Sequence, residues 1–340
     1  MTIEPEAATM HLSECPLCKS DRSTVVHENI PDFKYRVPGT WTFVRCGNCG
    51  LLYLNPRPAD LNKGYPENYT QHTMPAPPRI EGTGSFSFLV AAIRGGCLHA
   101  YGYPGLTARL PVKMLGKLCV LIPAVRLRAF YAFILFPRAR AGGKLLDIGC
   151  GSGRFLSVMR MLGWDVFGIE PDQFSSQVAK KLSGASLFTS LEKAGFPGSF
   201  FDIITSNHSL EHVADPLPMM KECHRILKPG GSIGLCAPNS KSLSHRLFGK
   251  YCYHLEPPRH LVMWQPASLK TLLSAAGFTV DSVTTTSLRE RRDSFTKSWG
   301  FKTGARPPAL LQMAWRVLSA VTGLLDNESG EEVVVWGTKN

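Results

Sequence analysis

Lys144-Leu-Leu-Asp147-Ile-Gly149-Cys-Gly151-Ser-Gly153-Arg-Phe155 is the stretch whose reading decides the fold. Leu145 to Ile148 form a short apolar run that predicts a buried strand. Three glycines follow at alternate positions. Phe155, Val158, Met159 and Leu162 then recur at helical spacing until Gly163 ends the pattern. Strand, glycine turn and helix make a cradle in which missing Cβ atoms let backbone amides approach a ligand at a helix N-terminus. The spacing selects among ligands. A dinucleotide fingerprint needs a glycine at 154, where Arg154 stands, and the G-K-[ST] of a Walker loop is absent.

What remains is D-x-G-x-G-x-G and a second strand, Asp165 to Ile169, that ends in Glu170. An acid at the tip of the second strand is placed to accept both hydroxyls of a ribose. Asp147 lies beneath the turn, where a ligand ammonium or a loop amide would be bound. A cofactor with a ribose and an amino-acid tail, and no phosphate, fits these residues: S-adenosylmethionine. The pattern resembles motif I and the acidic motif of class I methyltransferases. That resemblance implies a cofactor site built from Asp147, Gly149, Gly151, Gly153 and Glu170, with Asn207 at the tip of the fourth strand.

Cys15-Pro-Leu-Cys18 and Cys46-Gly-Asn-Cys49 are two knuckles. Each C-x-x-C aims two thiolates at one point, and a matched pair completes a tetrahedral Zn²⁺ site with no open position for water. The metal expected at Cys15, Cys18, Cys46 and Cys49 is therefore structural. A single redox C-x-x-C does not explain the pair. Ser23 to Val26, Trp41 to Arg45 and Leu51 to Leu54 read as strands, and Asn55-Pro-Arg-Pro58 ends the module. The stretch resembles the zinc-binding leader that precedes many bacterial class I methyltransferase domains, some of which act on sugars or other small metabolites.

The chain of 340 residues, 44% apolar and 19% charged, suits one large globular domain and a small one. Glu4, Glu6 and Glu14 interrupt the first 20 residues, which predicts no signal peptide, and no apolar run reaches spanning length. Six of the ten cysteines are scattered singly, a usage that predicts a reducing, cytoplasmic location. The net charge of +12 is uneven: between Glu81 and Asp147 there are nine Lys and Arg and no acid.

The expected domains are a zinc-ribbon leader over 1–58, a linker and basic, apolar helical segment over 59–140, and a methyltransferase core over 141–340. Pro111 and Pro123 suit first helical positions, giving helices over 111–121 and 124–136. Arg109, Lys113 and Lys117 form a basic stripe opposite Leu110, Met114, Leu118 and Leu121. The pair reads as a lid over the cofactor cleft or as a peripheral surface for anionic lipid at the inner membrane face. From 143 onward, strands are predicted at 144–148, 165–169, 185–188, 201–206 and 232–237. Helices are predicted at 153–162, 173–182, 216–227 and 266–276, with Lys228-Pro-Gly-Gly231 as a turn. Phe278 to Thr286 and Glu332 to Trp336 complete a doubly wound, seven-stranded Rossmann-like α/β sheet as an antiparallel edge pair. The role of the basic insertion over 287–330 is left open.

Ligands of such a sheet bind beyond the carboxyl ends of its strands. Ser206-Asn207-His208-Ser209-Leu210-Glu211-His212 and Tyr251-Cys-Tyr253-His254-Leu-Glu-Pro-Pro-Arg259-His260 reach that edge. His208 is the candidate base, with His212 and His260 beside it. His254, Arg259 and His260 would clamp an anionic or aromatic acceptor. Leu210-Glu211-His212-Val213 resembles the L-E-H-V signature of ubiquinone-pathway methyltransferases. The function expected is S-adenosylmethionine-dependent methyl transfer to a small metabolite, sugar or lipid-linked acceptor. The rival is an RNA methyltransferase using the zinc ribbon on nucleic acid. Its exocyclic-amine enzymes carry N-P-P-Y where this chain has Ser206-Asn207-His208-Ser209, and few aromatics flank the basic residues for stacking.

Overall fold

The computed structural model describes residues 8–66, 85–103, 114, 117–130, 132–288 and 291–340. In chain order the leader supplies β1 (Ser23–Pro31), β2 (Thr40–Cys46) and β3 (Leu52–Leu54), followed by helices α1 (Ser85–Ala100) and α2 (Pro123–Ala129). The alternating core follows as β4 (Lys144–Ile148), α3 (Arg154–Met161), β5 (Asp165–Ile169), α4 (Gln173–Ser183), β6 (Ser186–Phe188) and the single turn α5 (Leu191–Ala194). Then come β7 (Phe201–Asn207), α6 (Pro216–Ile226), β8 (Leu227–Pro238), α7 (Leu243–Phe248), β9 (Val262–Met263), α8 (Pro266–Ala275) and β10 (Thr279–Thr286). Helices α9 (Arg291–Thr303) and α10 (Ala309–Leu325) precede the last strand, β11 (Glu332–Thr338).

Seven strands form one sheet in the order β10-β11-β8-β7-β4-β5-β6. β4 pairs in parallel with β5 and with β7, and β5 pairs in parallel with β6, while β10 and β11 are antiparallel at one edge. This is the doubly wound α/β architecture that the alternation predicts. The chain divides into two compact units. One comprises Met1–Tyr69, His208–His224 and Leu235–Asn340; the other comprises Thr70–Asn207 and Arg225–Gly234.

In the second unit, α1 and α2 join the core around β4 and α3. Leu98, Tyr103, Phe130 and Phe136 are buried with Leu145, Leu156, Met159 and Trp164. The expected helix over 124–136 ends early, at Ala129, and Ala132 takes a positive φ of 65°. The reason is aromatic packing. Phe130 and Phe136 stack at 4.2 Å, and Tyr101 meets Phe130 edge-on at 4.4 Å. A continued helix would set residues six apart on different faces. Arg109, Lys113 and Leu110 lie outside the described residues. Lys117, Leu118, Leu121 and Ile122 are exposed. Part of the acid-free interval is used internally: Arg140 pairs with Asp202 at 3.2 Å and Arg138 lies over the Tyr101 ring. Lys228-Pro-Gly-Gly231 is the start of β8, not a turn. Within it Gly230 takes a positive φ of 71°, and Lys228 Nζ is bound to both oxygens of Asp202 at 2.9 Å.

In the first unit, the leader shares its core with the C-terminal half of the chain. β9 adds to β3, making a four-stranded sheet in the order β9-β3-β2-β1. Ile30, Trp41, Phe43, Leu52 and Leu54 are buried together with Cys252, Leu255, Leu261 and Met263. Beside this core lies a buried ionic network. Arg259 donates both guanidinium ends to Asp32, at 2.8 and 2.7 Å, its Nε to Glu256 at 3.1 Å, and Nη1 also to the Gly64 carbonyl. Lys34 completes the charge balance on Glu256 at 2.8 Å. Arg259 is thus committed to the fold, and the expectation that it clamps an anionic acceptor is corrected. A guanidinium never sheds its proton, so a buried one must be matched donor by donor. Asp32→Ala leaves that cation buried without its partner and should lower unfolding stability by about 3–5 kcal/mol. A loss below about 1 kcal/mol in urea denaturation would show that the network does not hold the leader.

Candidate active site

The glycine turn and its two acids are built as the sequence implies. Gly149, Gly151 and Gly153 all take positive φ, at 72°, 52° and 73°, a conformation that side chains resist. Gly153 caps α3, and a Cβ there would lie 2.7 Å from Ala179 on α4, so it also sets the helix packing. Glu170, at the end of β5, is 8% exposed. It accepts from the Gly151 amide at 2.8 Å and from the Asp172 amide at 3.0 Å. Asp147 is buried and accepts from the Thr205 hydroxyl at 2.7 Å. Burial pushes the Asp147 carboxyl up to about 7, against the Thr205 hydrogen bond and with help from the Glu170 charge. Burial raises Glu170 as well. Two desolvated carboxyls beside donor amides suit a ligand that carries both hydroxyls and positive charge. Asn207 closes β7 and is half-buried.

The other unit carries the histidines. His208 follows β7 at a positive φ of 52°, a strained position for a non-glycine residue. Its Nε2 donates to Glu332 Oε1 at 2.6 Å, and its Nδ1 lies 3.4 Å from Glu211 Oε1. Burial opposes its charged form, yet Cys236, Glu211 and Glu332 together hold its pKa well above the ordinary value. Glu211 is fully buried, and burial alone would raise it. The His208 side chain, through its hydrogen bond and then its charge, instead brings it down to about 2. Neither Glu211 oxygen has a closer hydrogen-bond partner among the described residues.

His212 and His260 meet edge-on at 4.8 Å between ring centres. His260 Nδ1 bonds to the His254 carbonyl at 2.7 Å, and His212 Nδ1 to the Arg259 carbonyl at 3.1 Å, with the Tyr65 hydroxyl at 3.0 Å. A carbonyl can only accept, so the His260 ring carries Nδ1–H, whereas His212 Nδ1 has both a carbonyl and a hydroxyl beside it. Burial, then the His212 charge, brings His260 down to about 4, so its ring is neutral at neutral pH. Ligand-type atoms of Glu211, His212 and His260 lie within 4.8 Å of one another, as do those of His208, Cys236 and Glu332.

Cys15, Cys18, Cys46 and Cys49 also converge within 4.8 Å. Cys15 Sγ is 3.6 Å from Cys49 Sγ, Cys18 Sγ is 3.5 Å from Cys46 Sγ, and the Asn48 amide donates to Cys46 Sγ. The hydrogen bond from Cys49 draws Cys15 down to about 5.

Several contributors escaped the sequence reading. Glu331 and Glu332 are both fully buried. Glu331 accepts from the Ser244 hydroxyl, from Ser294 at 2.8 Å and from the Ser244 amide at 3.2 Å. The available signal was two consecutive acids opening the apolar strand Val333-Val-Val-Trp336. Asp32, Tyr65 and Thr205 carried no such signal, because their partners are far away in sequence.

Residues 123–283 match the family described as a methyltransferase domain. A ubiquinone biosynthesis O-methyltransferase of Ruegeria pomeroyi is 34% identical over 153 residues, 41% of this chain and 61% of that protein. Its counterpart in Thiobacillus denitrificans is 32% identical over 158 residues, 42% of this chain and 68% of that protein. The match to the Ruegeria relative thus covers less than two thirds of its length. A SAM-dependent methyltransferase structure from Archaeoglobus fulgidus shares 19% identity at a TM-score of 0.44, covering 64% of this chain and 92% of that one.

The raised Asp147 pKa makes a pH prediction. Between about 4 and 7 the native carboxyl holds a proton that the unfolded chain has released, so stability falls as pH rises through that window. Asp147→Asn should flatten this loss, by up to about 4 kcal/mol across the window. Parallel stability–pH curves for wild type and variant would contradict it.

Proposed function

This chain belongs to the class I S-adenosylmethionine-dependent methyltransferases, and from that premise we propose that it methylates a hydroxyl oxygen on a small, sugar or lipid-linked acceptor. The observation that carries the reading is the pair of imidazoles, His212 and His260. His260 has Nδ1–H fixed on the His254 carbonyl and, as a neutral ring, a lone pair left at Nε2, with His212 edge-on beside it. Bound S-adenosylmethionine supplies an activated methyl group, so alignment accounts for much of the acceleration. An oxygen acceptor must also lose a proton, and a neutral imidazole can take it. His260 is the base in this reading, and Glu211 stabilises the imidazolium that results. His208 carries both ring protons between Glu211 and Glu332 and acts as their cationic anchor. Asp147, Glu170 and the glycine-turn amides hold the cofactor, with Asn207 at the edge of that site. The relatives bear the name O-methyltransferase, which agrees with an oxygen acceptor.

Cys15, Cys18, Cys46 and Cys49 would hold one Zn²⁺ as a closed, structural site. The four convergent sulfurs and the lowered Cys15 thiol fit such a metal.

The test supplies deuteromethyl S-adenosylmethionine together with small-molecule and lipid extracts as separate acceptor pools. Wild type should yield a deuteromethyl ether. His260→Ala should slow its formation about 10²–10⁴-fold while leaving cofactor affinity unchanged. Product formed at the wild-type rate by His260→Ala would remove the base from the account. A product methylated on nitrogen or carbon would overturn the oxygen assignment.

A further inference from the structure

The insertion between β10 and β11 ends in a helix that buries only one narrow side. On α10, Trp315 and Ser319 point inward, and Trp315 stacks on Phe295 at 4.9 Å beside Phe248. The opposite side is apolar and uncovered. Leu310 is 71% exposed and Leu325 82%, and Met313, Val317, Leu318 and Val321 between them are also exposed. Spacings of three, four, four and four residues from Leu310 through Met313, Val317 and Val321 to Leu325 align them on one face about 22 Å long. An apolar face this continuous on a globular surface marks an interaction site.

The surrounding charge says what covers it. Three described acids near α10 are each paired: Asp293 lies 3.7 Å from Lys297, Asp326 is bound by Arg246 at 2.9 Å, and Glu328 by Lys241 at 2.6 Å. Lys302, Arg306 and Arg316 are exposed, and among the described residues none of them has an acidic partner. The face is therefore greasy with a cationic rim. A second copy is a poor occupant, because a two-fold interface would set these same cations against their own twins on chains that each carry +12. No helix is long and apolar enough to cross a membrane among the described residues, so α10 would lie flat.

We propose that α10 is an interfacial membrane-docking helix, its Leu310–Leu325 face in the headgroup layer and Lys302, Arg306 and Arg316 on anionic lipid. An apolar stripe flanked by basic residues binds such an interface by burying its side chains and by attraction to the anionic headgroups. The inference does not depend on the methyl-transfer reading, because vesicle binding reads the surface alone.

Flotation of the full chain with vesicles of phosphatidylglycerol and phosphatidylcholine tests it, with calorimetric S-adenosylmethionine binding as the check that each variant is folded. Wild type should bind the mixed vesicles and bind pure phosphatidylcholine at least tenfold more weakly. Raised salt should weaken the binding. L310S/V317S/V321S should lose at least tenfold in affinity. K302Q/R306Q/R316Q should lose about fivefold for each charge that faces the leaflet. No binding to the mixed vesicles overturns the proposal. Unchanged binding by the serine variant also overturns it, since other basic residues would then be responsible. A dimer in solution that the serine variant converts to monomer, without vesicle binding, assigns the face to a second copy instead.

Discussion

The arrangement of the histidine-bearing unit rests on one constraint: Arg259 is a buried permanent cation. Each of its three nitrogens must find a partner, and they find Asp32 in the leader, Glu256 on its own loop and the Gly64 carbonyl. A buried ion pair is weak evidence of net stability, because desolvation consumes much of its Coulombic gain. Its consequence here is geometric. Pinning the guanidinium fixes the loop from Tyr253 to His260, and the carbonyls of that loop hold the imidazoles. The Arg259 carbonyl orients His212 and the His254 carbonyl orients His260. The leader thus reaches the loop that orients the imidazole pair through the Asp32–Arg259 and Lys34–Glu256 ion pairs. Asp32 is itself held by the amides of Lys34, Tyr35 and Val37 in the β1–β2 turn. A metal closing the four cysteines at the other end of that hairpin would stiffen the same path.

The glycine-turn unit poses the opposite electrostatic problem. Among the described residues Asp147 and Glu170 have no basic partner at hydrogen-bond distance, and burial raises both. Such a pair costs stability in the free protein and favours a cationic ligand that carries hydroxyls. The histidine cluster balances its buried charge internally, with His208 between Glu211 and Glu332.

Sequence pattern located the glycine turn, both acids and the four cysteines because each obeys a local spacing rule. The turn needs alternate glycines, and a knuckle needs two residues between its cysteines. The seven-stranded, doubly wound class followed from the alternation of strand and helix periods, and the strand order comes from the structure. The pattern failed where a distant partner decides the local structure. The apolar run after Ala129 looks helical, yet Phe130 and Phe136 must stack on each other, so the chain unwinds. Lys228-Pro-Gly-Gly231 reads as a turn and keeps a positive φ at Gly230, yet it is already part of β8. Arg259 looked like an anion clamp because its partner, Asp32, is more than two hundred residues earlier. The insertion over 287–330 has no motif at all; its meaning lies in which side of a helix is left uncovered.

The central claim is that the D-x-G-x-G-x-G turn and Glu170 bind S-adenosylmethionine. Titration calorimetry on the purified chain tests it directly. The account predicts one S-adenosylmethionine per chain and a loss of about 2–3 kcal/mol in binding free energy for Glu170→Ala, since hydrogen bonds to a charged carboxylate are the stronger class. A chain that binds NAD or a nucleotide and shows no heat with S-adenosylmethionine would contradict it.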